Sequence, residues 1–475
     1  MTQTEYRLNY LTFRSYNRWN QTGHRLQPST VTSRPYTKGL RRVGNKIKDV
    51  LAVIGFVSGG LVVFWIAWKL YTETYDVTKQ ISVPELSTNQ PGRDAKNSRP
   101  LRLDLPTYTT EQVAEHDTME NGAWAHYDNG VYNLTPYVRK HPGGLKILMA
   151  AGRSLKPFWD LYPKHDNSYI YDIMEGKMRV GNIFDNQEAK TQVIDLSDPY
   201  SMDPKRNEVM REVSHKPYQS EMPSQLITDK ILTPNGVFFV CNHKHVPRVH
   251  IADYSLELQL RDSTHEFTFD DLKTKYKKSQ IMATIQCVKN RGREMSKAKE
   301  IKGPTWTHGG ISTTMWSGVT LDDLLVEQGV DIDQVKDKFV NFEGMDIQDD
   351  GLPYGASIPI DLARRLKKEI LIAYEMDHLP IPRDHGYPVR VIIPGVAGAR
   401  HVKWLKKISF SMKESESNFQ KREFKISHSS EDVDETRAAD IPAITQLPVT
   451  SAICEPVEGF ELHKVKLDVM SVHFI

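Results

Sequence analysis

The chain has 475 residues, of which 39% are hydrophobic and 26% are charged, and its formal net charge is +2. This length allows two or three domains with separate cores, and the ordinary apolar content indicates a mostly globular protein. Cys241, Cys287 and Cys454 are too few and too widely spaced for a disulfide framework, which excludes a small disulfide-stabilised module.

The first 48 residues are strongly basic. They contain ten Lys or Arg and a single acid, Glu5, among many Ser and Thr. This composition is typical of a mitochondrial transit segment, with a disordered basic tail as the alternative. The segment carries a charge of +9, so the rest of the chain carries −7. An acidic body favours encounter with a basic redox partner, and we expect no nucleic-acid partner.

An uncharged apolar run occupies residues 50–68, directly after the basic segment. It is just long enough to cross a bilayer, and it lacks the polar periodicity of a buried amphipathic helix. We therefore predict that residues 49–72 form a membrane span or a sorting signal that stops in the inner mitochondrial membrane. The body would face the intermembrane space, either anchored to the membrane or released by cleavage.

A pair of histidines follows an exposed linker over residues 73–104. His141 precedes Pro-Gly-Gly, and His165 comes 24 positions later. Glycine in such a tight turn lets the backbone pass close to a flat macrocycle. Two imidazoles on opposite faces of a haem leave the iron no open coordination site, as suits electron transfer. We predict His141 and His165 as ligands of a haem iron.

The flanks of the two histidines strengthen this prediction. Residues 108–116, 124–135 and 156–165, with the HPGG turn, resemble the cytochrome b5 fold over residues 105–183. The resemblance implies one haem b in this segment. For the HPGG turn alone, a surface turn that contains a histidine would be an equal alternative.

The remaining chain predicts an α+β multidomain protein. Residues 184–205 are polar and aperiodic, which indicates a hinge linker between the haem domain and the next domain. Residues 206–445 are predicted to form a mixed α/β domain. Alternating runs at 254–260 and 387–394 indicate strands, and residues 362–372 indicate a short amphipathic helix.

A cysteine lies at the end of an apolar strand that begins at Ile281. Cys287 precedes a basic loop with Lys289, Arg291 and Arg293, and these cations are expected to lower the pKa of the thiol. A thiolate is a natural soft ligand for a metal. From the spacing alone, an inert core cysteine is the favoured interpretation.

Longer motifs change that interpretation. Residues 302–306, 342–346, 354–359, 373–376, 382–390 and 394–404, with Cys287, are similar to sulfite oxidases, and the resemblance covers about 105–456. It implies a molybdenum ion held by a pterin dithiolene and by Cys287, with Trp306 as an aromatic wall of the active site. It also implies the following residues as those that grip the pterin and its phosphate: Asn242, His243, Asp346, His385, Arg390, His401, Val402 and Lys403.

The resemblance implies oxidation of sulfite to sulfate, with electrons passing through haem b to cytochrome c. Holding a dianionic substrate calls for several guanidinium groups. Cys241 and Gly292 stand where the family pattern has arginines, and Phe424 stands where it has an active-site tyrosine. Arg293, beside Gly292, is expected to substitute in part. Losing two or three charge-assisted hydrogen bonds, at about 1.5–3 kcal/mol each, weakens affinity or rate by on the order of 10³-fold or more.

The end of the chain also departs from the pattern. Residues 446–456 resemble the beginning of the family's C-terminal dimerisation domain, but the tail that follows, up to Ile475, does not. We therefore expect 446–475 to be a truncated start of that domain, which makes a homodimer doubtful.

Three hypotheses follow from these features. The chain is a sulfite oxidase-type enzyme, a diverged molybdenum protein or haem electron carrier with a silent second domain, or an incomplete product of a normal gene. The neutral set of Cys241, Gly292 and Phe424 motivates the second hypothesis, and the C-terminus motivates the third. A nitrate-reducing relative is disfavoured because the b5-like segment comes first and no flavin domain follows.

Overall fold

A computed structural model describes residues 100–184, 195, 197–301, 303–425, 441–447 and 449–455, and the backbone of 470–474. The predicted transit segment and apolar span, and most of the first linker, lie outside the described residues. Within the described ranges, no helix has both the length and the apolar character that a bilayer crossing requires.

A five-stranded sheet near the start carries both predicted haem histidines on its connecting segments. Its strands are β1 (Thr107–Thr109), β2 (Trp124–Tyr127), β3 (Gly130–Asn133), β4 (Arg153–Ser154) and β5 (Arg179–Phe184), in the spatial order β1-β5-β3-β2-β4. Its helices are α1 (Thr110–Ala114), α2 (Lys156–Leu161) and α3 (Ser168–Ile173), with 3-10 helices Thr135–Lys140, Gly144–Ala150 and Pro163–His165 and a π-helix Met174–Met178. A capping box between Thr109 and Gln112 starts α1. We call this the two-histidine domain.

The chain from residue 206 onward forms three further sheets, which we call the cysteine domain. The first contains β6 (Arg211–Ser214), β7 (Gln219–Glu221) and β8 (Val240–Cys241). The second contains β9 (Ser255–Gln259), β10 (Thr264–Thr268), β13 (Phe339–Ile347), β14 (Pro353–Pro359) and β18 (Leu405–Ser411), in the order β10-β9-β18-β13-β14. The third contains β11 (Ser279–Gln286), β12 (Ile311–Thr320), β15 (Leu371–Met376), β16 (Leu379–Pro380) and β17 (Arg390–Ile392), in the order β11-β12-β15-β16, with β17 also paired to β15.

Short helices connect these strands. They are α4 (Ser224–Ile227), α5 (Phe269–Thr274), α6 (Gly292–Met295), α7 (Leu321–Glu327), α8 (Ile360–Leu366) and α9 (Asn418–Lys421), with 3-10 helices Asn235–Val237, Ile251–Asp253, Ile332–Gln334, Arg383–His385 and Gly398–Arg400. Near the end of the chain, β19 (Thr450–Glu455) pairs antiparallel with β20 (Met470–Phe474).

The third sheet is buried on both faces. In β15, Ile372 and Tyr374 pack into the core shared with the second sheet, whereas Leu371 and Ala373 pack with Cys287 on the other face. A strand buried on both faces has a continuous apolar sequence, which periodicity does not distinguish from a helix. The predicted helix at 362–372 was therefore wrong at its end, because α8 stops at Leu366.

The predicted strand at 254–260 is confirmed as β9, in which Leu256 and Leu258 are fully buried. The predicted strand at 387–394 is confirmed in part, because only Arg390–Ile392 forms β17.

Part of the predicted hinge linker lies against the cysteine domain. Asp203 accepts a hydrogen bond from the backbone N–H of Val246 at 2.8 Å, and Met202 accepts one from Arg383 at 3.0 Å. Lys216 also pairs with Asp198 at 2.5 Å. These contacts attach residues 198–203 to the domain that follows them.

Candidate functional site

The two predicted haem ligands face each other in the two-histidine domain. The ring centroids of His141 and His165 are 6.1 Å apart, with an angle of 30° between the ring planes. His141 directly follows one 3-10 helix, and His165 ends another. Two imidazoles bound to one metal by bonds of about 2 Å place their ring centres roughly 6 Å apart. The pair therefore fits a single iron between the rings.

The surroundings of the pair suit a neutral, metal-binding imidazole. Burial lowers the pKa of both histidines, which disfavours the charged form that cannot bind iron. The ring of Trp159 lies 5.2 Å from that of His165, and the buried Nδ1 of His165 has no hydrogen-bond partner in the described part of the chain. A Cβ on Gly143 would lie 3.0 Å from Cε1 of His141, so a side chain there would push against that ring, and Gly144 adopts a positive φ of 58°, which favours glycine.

A second site surrounds Cys287, which directly follows β11 and donates its backbone N–H to Gly310 at 2.8 Å. The adjacent cavity has a volume of about 670 Å³ including its open mouth. Its walls include Phe238, Phe239, Cys241, His243, Cys287, Asp346, Tyr354, Asp384, His385, Arg390, Gly398, His401, Lys403 and Phe424. Residues from several sheets thus converge on one thiol.

A buried cation, Arg390, and a half-buried one, Lys403, line this cavity. Arg390 donates to the backbone oxygens of His385 at 2.8 Å and His401 at 3.2 Å, and its Nε has no partner among the described residues. Lys403 donates to the backbone oxygens of Cys241 at 3.0 Å and Asp384 at 2.9 Å. Burial lowers the pKa of Arg390 to about 9 and that of Lys403 to about 8. Buried cations are costly unless an anion compensates them, so this wall suits an anionic cofactor.

The buried histidines of the cavity are neutral. Burial lowers the pKa of His385 and that of His401 to about 3. His401 accepts a hydrogen bond from Ile393 at Nδ1 (3.3 Å) and donates from Nε2 to Val396 (3.0 Å), which indicates its tautomer. Both ring nitrogens of His401 are therefore bonded to backbone groups, whereas the neutral ring of His385 borders the cavity without adding charge to it.

Acidic and aromatic groups complete the walls. Burial raises the pKa of Asp346 to about 7, and its Oδ1 has no partner within the described ranges. The ring of His243 stacks on Tyr354, with centroids 5.3 Å apart and planes 9° apart, and lies 4.4 Å from the ring of Phe419. These groups offer unpaired polar atoms and a flat surface to a pterin.

Two predicted cofactor-gripping residues lie behind the wall. Asn242 is fully buried; its amide donates to Asp384 at 2.8 Å and its oxygen accepts from Lys403. The carbonyl of Val402 accepts from Val391 at 3.0 Å, and its side chain is fully buried. Asn242 orients the cation, and Val402 offers the cavity no polar side chain.

The structure does not bring every predicted catalytic residue to the cavity. Trp306 is fully buried, and its ring lies edge-on to Phe239 at 6.1 Å. Arg293 is exposed, and neither residue is among those that line the cavity. The backbone N–H of Arg293 donates to the backbone oxygen of Trp306 at 2.9 Å. Cys287 is the predicted catalytic residue that contacts the cavity.

The electrostatics of Cys287 differ from the prediction. Lys289, Arg291 and Arg293 were expected to lower the pKa of its thiol, but contact with the Cys241 thiol and burial raise it. Conversely, the contact with Cys287, the charge of His243 and that of Lys403 lower the pKa of Cys241 despite burial. A coordinated metal deprotonates a thiol outright. Lys289 does lower the pKa of the Cys287 thiol, but its effect is smaller than those of Cys241 and burial, so the predicted net direction was wrong.

The three departures from the family pattern lie at or near the cavity. Cys241 and Phe424 line it, and Phe424 adopts a positive φ of 54°. Gly292 is buried, but a Cβ there would meet only the backbone nitrogen of Trp306, at 3.9 Å. A side chain at 292 is therefore not excluded by the immediate surroundings.

Sequence reasoning missed Asp384. This buried carboxylate lines the cavity, accepts two hydrogen bonds of 3.0 Å from Arg206, and accepts one from Asn242. Its position within the 382–390 motif was the available signal. Arg206, 178 positions away in the chain, was not visible as its partner.

Comparison with known proteins agrees with this geometry. Residues 109–184 match the "Cytochrome b5-like Heme/Steroid binding domain" family, and residues 243–419 match the "Oxidoreductase molybdopterin binding domain" family. Mitochondrial sulfite oxidase from Drosophila melanogaster is 39% identical over 423 residues, covering 88% of this chain and 72% of the relative. The human mitochondrial enzyme is 40% identical, covering 74% of this chain and 64% of the relative. The chicken sulfite oxidase is 38% identical, covering 74% and 77%.

These matches confirm the predicted fold class and both predicted cofactors. The match to the human enzyme covers slightly less than two thirds of that protein. A haem domain of the cytochrome b5 type precedes an oxidoreductase domain for the molybdenum cofactor, in the predicted order. The chain belongs to the sulfite oxidase family and is an oxidoreductase with haem b and a molybdenum cofactor.

Proposed function

We propose that this protein oxidises sulfite to sulfate and passes the electrons through haem b to cytochrome c. The observation that carries the proposal is the convergence of Cys287, Arg390 and Lys403 on one cavity, in a chain about 39% identical to sulfite oxidases. Sulfite and one water, which supplies the oxygen atom, yield sulfate, two protons and two electrons. Two molecules of oxidised cytochrome c, each taking one electron, balance the reaction.

The residues of this chain hold the two redox groups. Cys287 would ligate the molybdenum, which supplies oxygen-atom transfer and two-electron chemistry when its cofactor is bound. Arg390 and Lys403 would compensate the anionic charge of the pterin cofactor, and the stacked ring of His243 would border it. His141 and His165 would hold the haem iron, and their neutral state suits that role.

The part of the cavity near Cys241 and Phe424, where we expect the substrate to bind, lacks two of the groups that the family pattern provides for an anion. Cys241 and Phe424 line the cavity where the family pattern has an arginine and a tyrosine. Two missing charge-assisted hydrogen bonds, at about 1.5–3 kcal/mol each, lower the affinity for sulfite by on the order of 10²–10⁴-fold. We expect a high KM, with Trp306 supporting the cavity wall from behind and Arg293 contributing charge only from the protein surface.

The presence of Cys241 and Phe424 at the cavity wall favours a second candidate function. A thiol and a phenyl ring at the cavity wall fit a less anionic substrate better than a dianion, because neither group stabilises a negative charge. In that case the molybdenum chemistry is retained and the substrate differs. Testing neutral or monoanionic sulfur compounds beside sulfite distinguishes the two candidates.

The subcellular location and the domain boundaries are also part of the proposal. The name of the fly and human relatives includes "mitochondrial", and the basic segment over 1–48 supports the same compartment here. We place the body in the intermembrane space, with residues 50–68 as the inner-membrane anchor or sorting signal. The proposed domains span 105–183 and 206–445, joined through 184–205.

Anaerobic addition of sulfite to the purified, cofactor-loaded protein tests the proposed function. We expect the haem spectrum to change from oxidised to reduced, and a Cys287→Ser variant to lose the change while dithionite still reduces its haem. An unchanged haem spectrum at millimolar sulfite, in protein that contains molybdenum, would overturn the proposal. Reduction by a less anionic sulfur compound would then support the second candidate.

A further inference from the structure

One carboxylate of the cysteine domain contacts both haem-ligand segments of the two-histidine domain. Asp229 follows α4, and its Oδ1 accepts from the ammonium of Lys146 while its Oδ2 accepts from the hydroxyl of Tyr162. Lys146 lies five positions after His141. The ring of Tyr162 lies edge-on to that of His165, with centroids 5.7 Å apart. Each arm of the carboxylate thus reaches the segment of a different iron ligand.

This contact lies beside apolar side chains that both domains contribute to one cluster. Met222, Leu226 and Val237 of the cysteine domain are at most 6% exposed and belong to the same apolar cluster as Leu161 and Phe158 of the two-histidine domain. Burial of whole apolar side chains favours association of the two surfaces. The interface is therefore built as a stable contact, and Asp229 lies within it with a side chain 17% exposed.

Further polar contacts surround the carboxylate. Lys230 donates to the backbone oxygen of Leu161 at 3.2 Å, and Glu455 of β19 forms an ion pair of 2.8 Å with Lys146. Burial alone would lower the pKa of Lys146, but Asp229 and Glu455 outweigh burial and raise it. Burial and the hydrogen bond to Asp229 raise the pKa of Tyr162, so its hydroxyl remains a donor.

The same interface borders the molybdenum-cofactor cavity. Val237 lines a cavity of about 300 Å³ at the domain contact, together with Tyr162 and Asp229. The next two residues, Phe238 and Phe239, line the cofactor cavity. Adjacent residues of one segment therefore connect the haem-ligand side to the molybdenum side.

We infer that Asp229 is a positioning residue that holds both haem-ligand segments against the cysteine domain and adjusts the haem reduction potential. Its negative charge favours the ferric state of the iron, which carries one more positive charge than the ferrous state. Lys146 opposes this effect. The inference depends on haem binding and does not depend on sulfite as substrate.

Redox titration of the full-length holoprotein, with a chemical reductant and without sulfite, tests the electrostatic role. Asp229→Asn is expected to shift the haem potential to a more positive value, whereas Lys146→Met is expected to shift it to a more negative value. The control is Asp160→Asn, which removes an exposed carboxylate of α2 that pairs with the exposed Lys156 at 3.4 Å. Shifts of the same sign in both variants, or an Asp229→Asn potential equal to that of the control, would overturn the inference.

Backbone hydrogen exchange tests the positioning role on the same proteins. In Asp229→Asn, we expect faster exchange at residues 222–237 and at the segment around Tyr162, and unchanged exchange in β13. Tyr162→Phe keeps the ring and removes the hydroxyl that donates to Asp229, so it replaces Asp229→Asn in this test if the latter does not fold. We expect Tyr162→Phe to show the same pattern of faster exchange, but more weakly. Exchange that matches the native protein in these variants would contradict a role for Asp229 in holding the domains together.

Discussion

Replacing Arg390 by methionine removes a buried cation from the cofactor cavity at nearly constant side-chain length. The backbone oxygens of His385 and His401 lose the donors that now lie at 2.8 and 3.2 Å. A buried acceptor left without a partner costs about 1–3 kcal/mol, so the free energy of unfolding falls by roughly 2–6 kcal/mol. The lost charge-assisted contact weakens cofactor binding by about 1.5–3 kcal/mol, or roughly 10- to 150-fold.

The ratio of molybdenum to haem in the purified protein measures the second effect. We expect this ratio to fall strongly in Arg390→Met and to be intermediate in Arg390→Lys, which keeps the charge without the planar fork. Arg364→Met is the matched control, because Arg364 also donates to two backbone oxygens, those of Ile332 and Val335, but lies outside the cavity. A native ratio in a folded Arg390→Met protein would refute the assignment of Arg390 to the cofactor.

Three further predictions follow from particular contacts. Cys241→Arg is expected to lower the KM for sulfite by roughly 10- to 150-fold through one charge-assisted hydrogen bond, whereas Cys241→Ala should leave the KM near the native value. An unchanged KM in steady-state assays of the arginine variant would count against binding of a dianion in this cavity. Because burial lowers the pKa of His385 and His401 to about 3 from 6.5, the unfolded chain binds more protons between these values. The free energy of unfolding of molybdenum-free protein should fall as the pH drops through that window, by about 1.4 kcal/mol per pH unit for each histidine. Asp346, with its pKa raised from 3.8 to about 7, offsets part of this fall because the folded protein holds its proton more tightly. Urea midpoints that do not change between about pH 7 and pH 5 would contradict the lowered pKa of the two histidines. Gly143→Ala is expected to displace the His141 ring and to lower the haem-to-protein ratio, whereas Gly176→Ala, whose Cβ would meet nothing within 4 Å, should leave that ratio unchanged.

Several features could be predicted because the residues that determine them are close in sequence. The HPGG turn and His165 indicate a haem pair, and the structure places their rings 6.1 Å apart, as one iron requires. Strand β9 alternates buried and half-buried residues, so the alternation of apolar and polar residues in its sequence predicted a strand. The boundary between α8 and β15 could not be predicted from the sequence. Strand β15 packs into a different core on each face, so its apolar run does not alternate and resembles the end of a helix.

The chemistry of Cys287 shows the limit of local reasoning. The cations within six positions of it indicated a lowered pKa, but the thiol of Cys241, 46 positions earlier, and burial have the larger effect. Arg293 is close in sequence but is exposed, whereas Lys403 is distant in sequence and lines the cavity. Electrostatic effects depend on distance in space and on desolvation, and the sequence reports neither.

The amino-acid sequence by itself determined the family and the two cofactors, and it predicted His141, His165 and Cys287 as the metal ligands, because short specific motifs carry those properties. The tertiary structure alone decided which predicted residues share the cavity, which charges are buried, and that Asp384 joins Arg206 to Asn242. It also decided the contact of Asp229 with both haem-ligand segments. These properties arise from side chains brought together across 60 or more positions, either within the cysteine domain or between it and the two-histidine domain, and no local pattern encodes such packing.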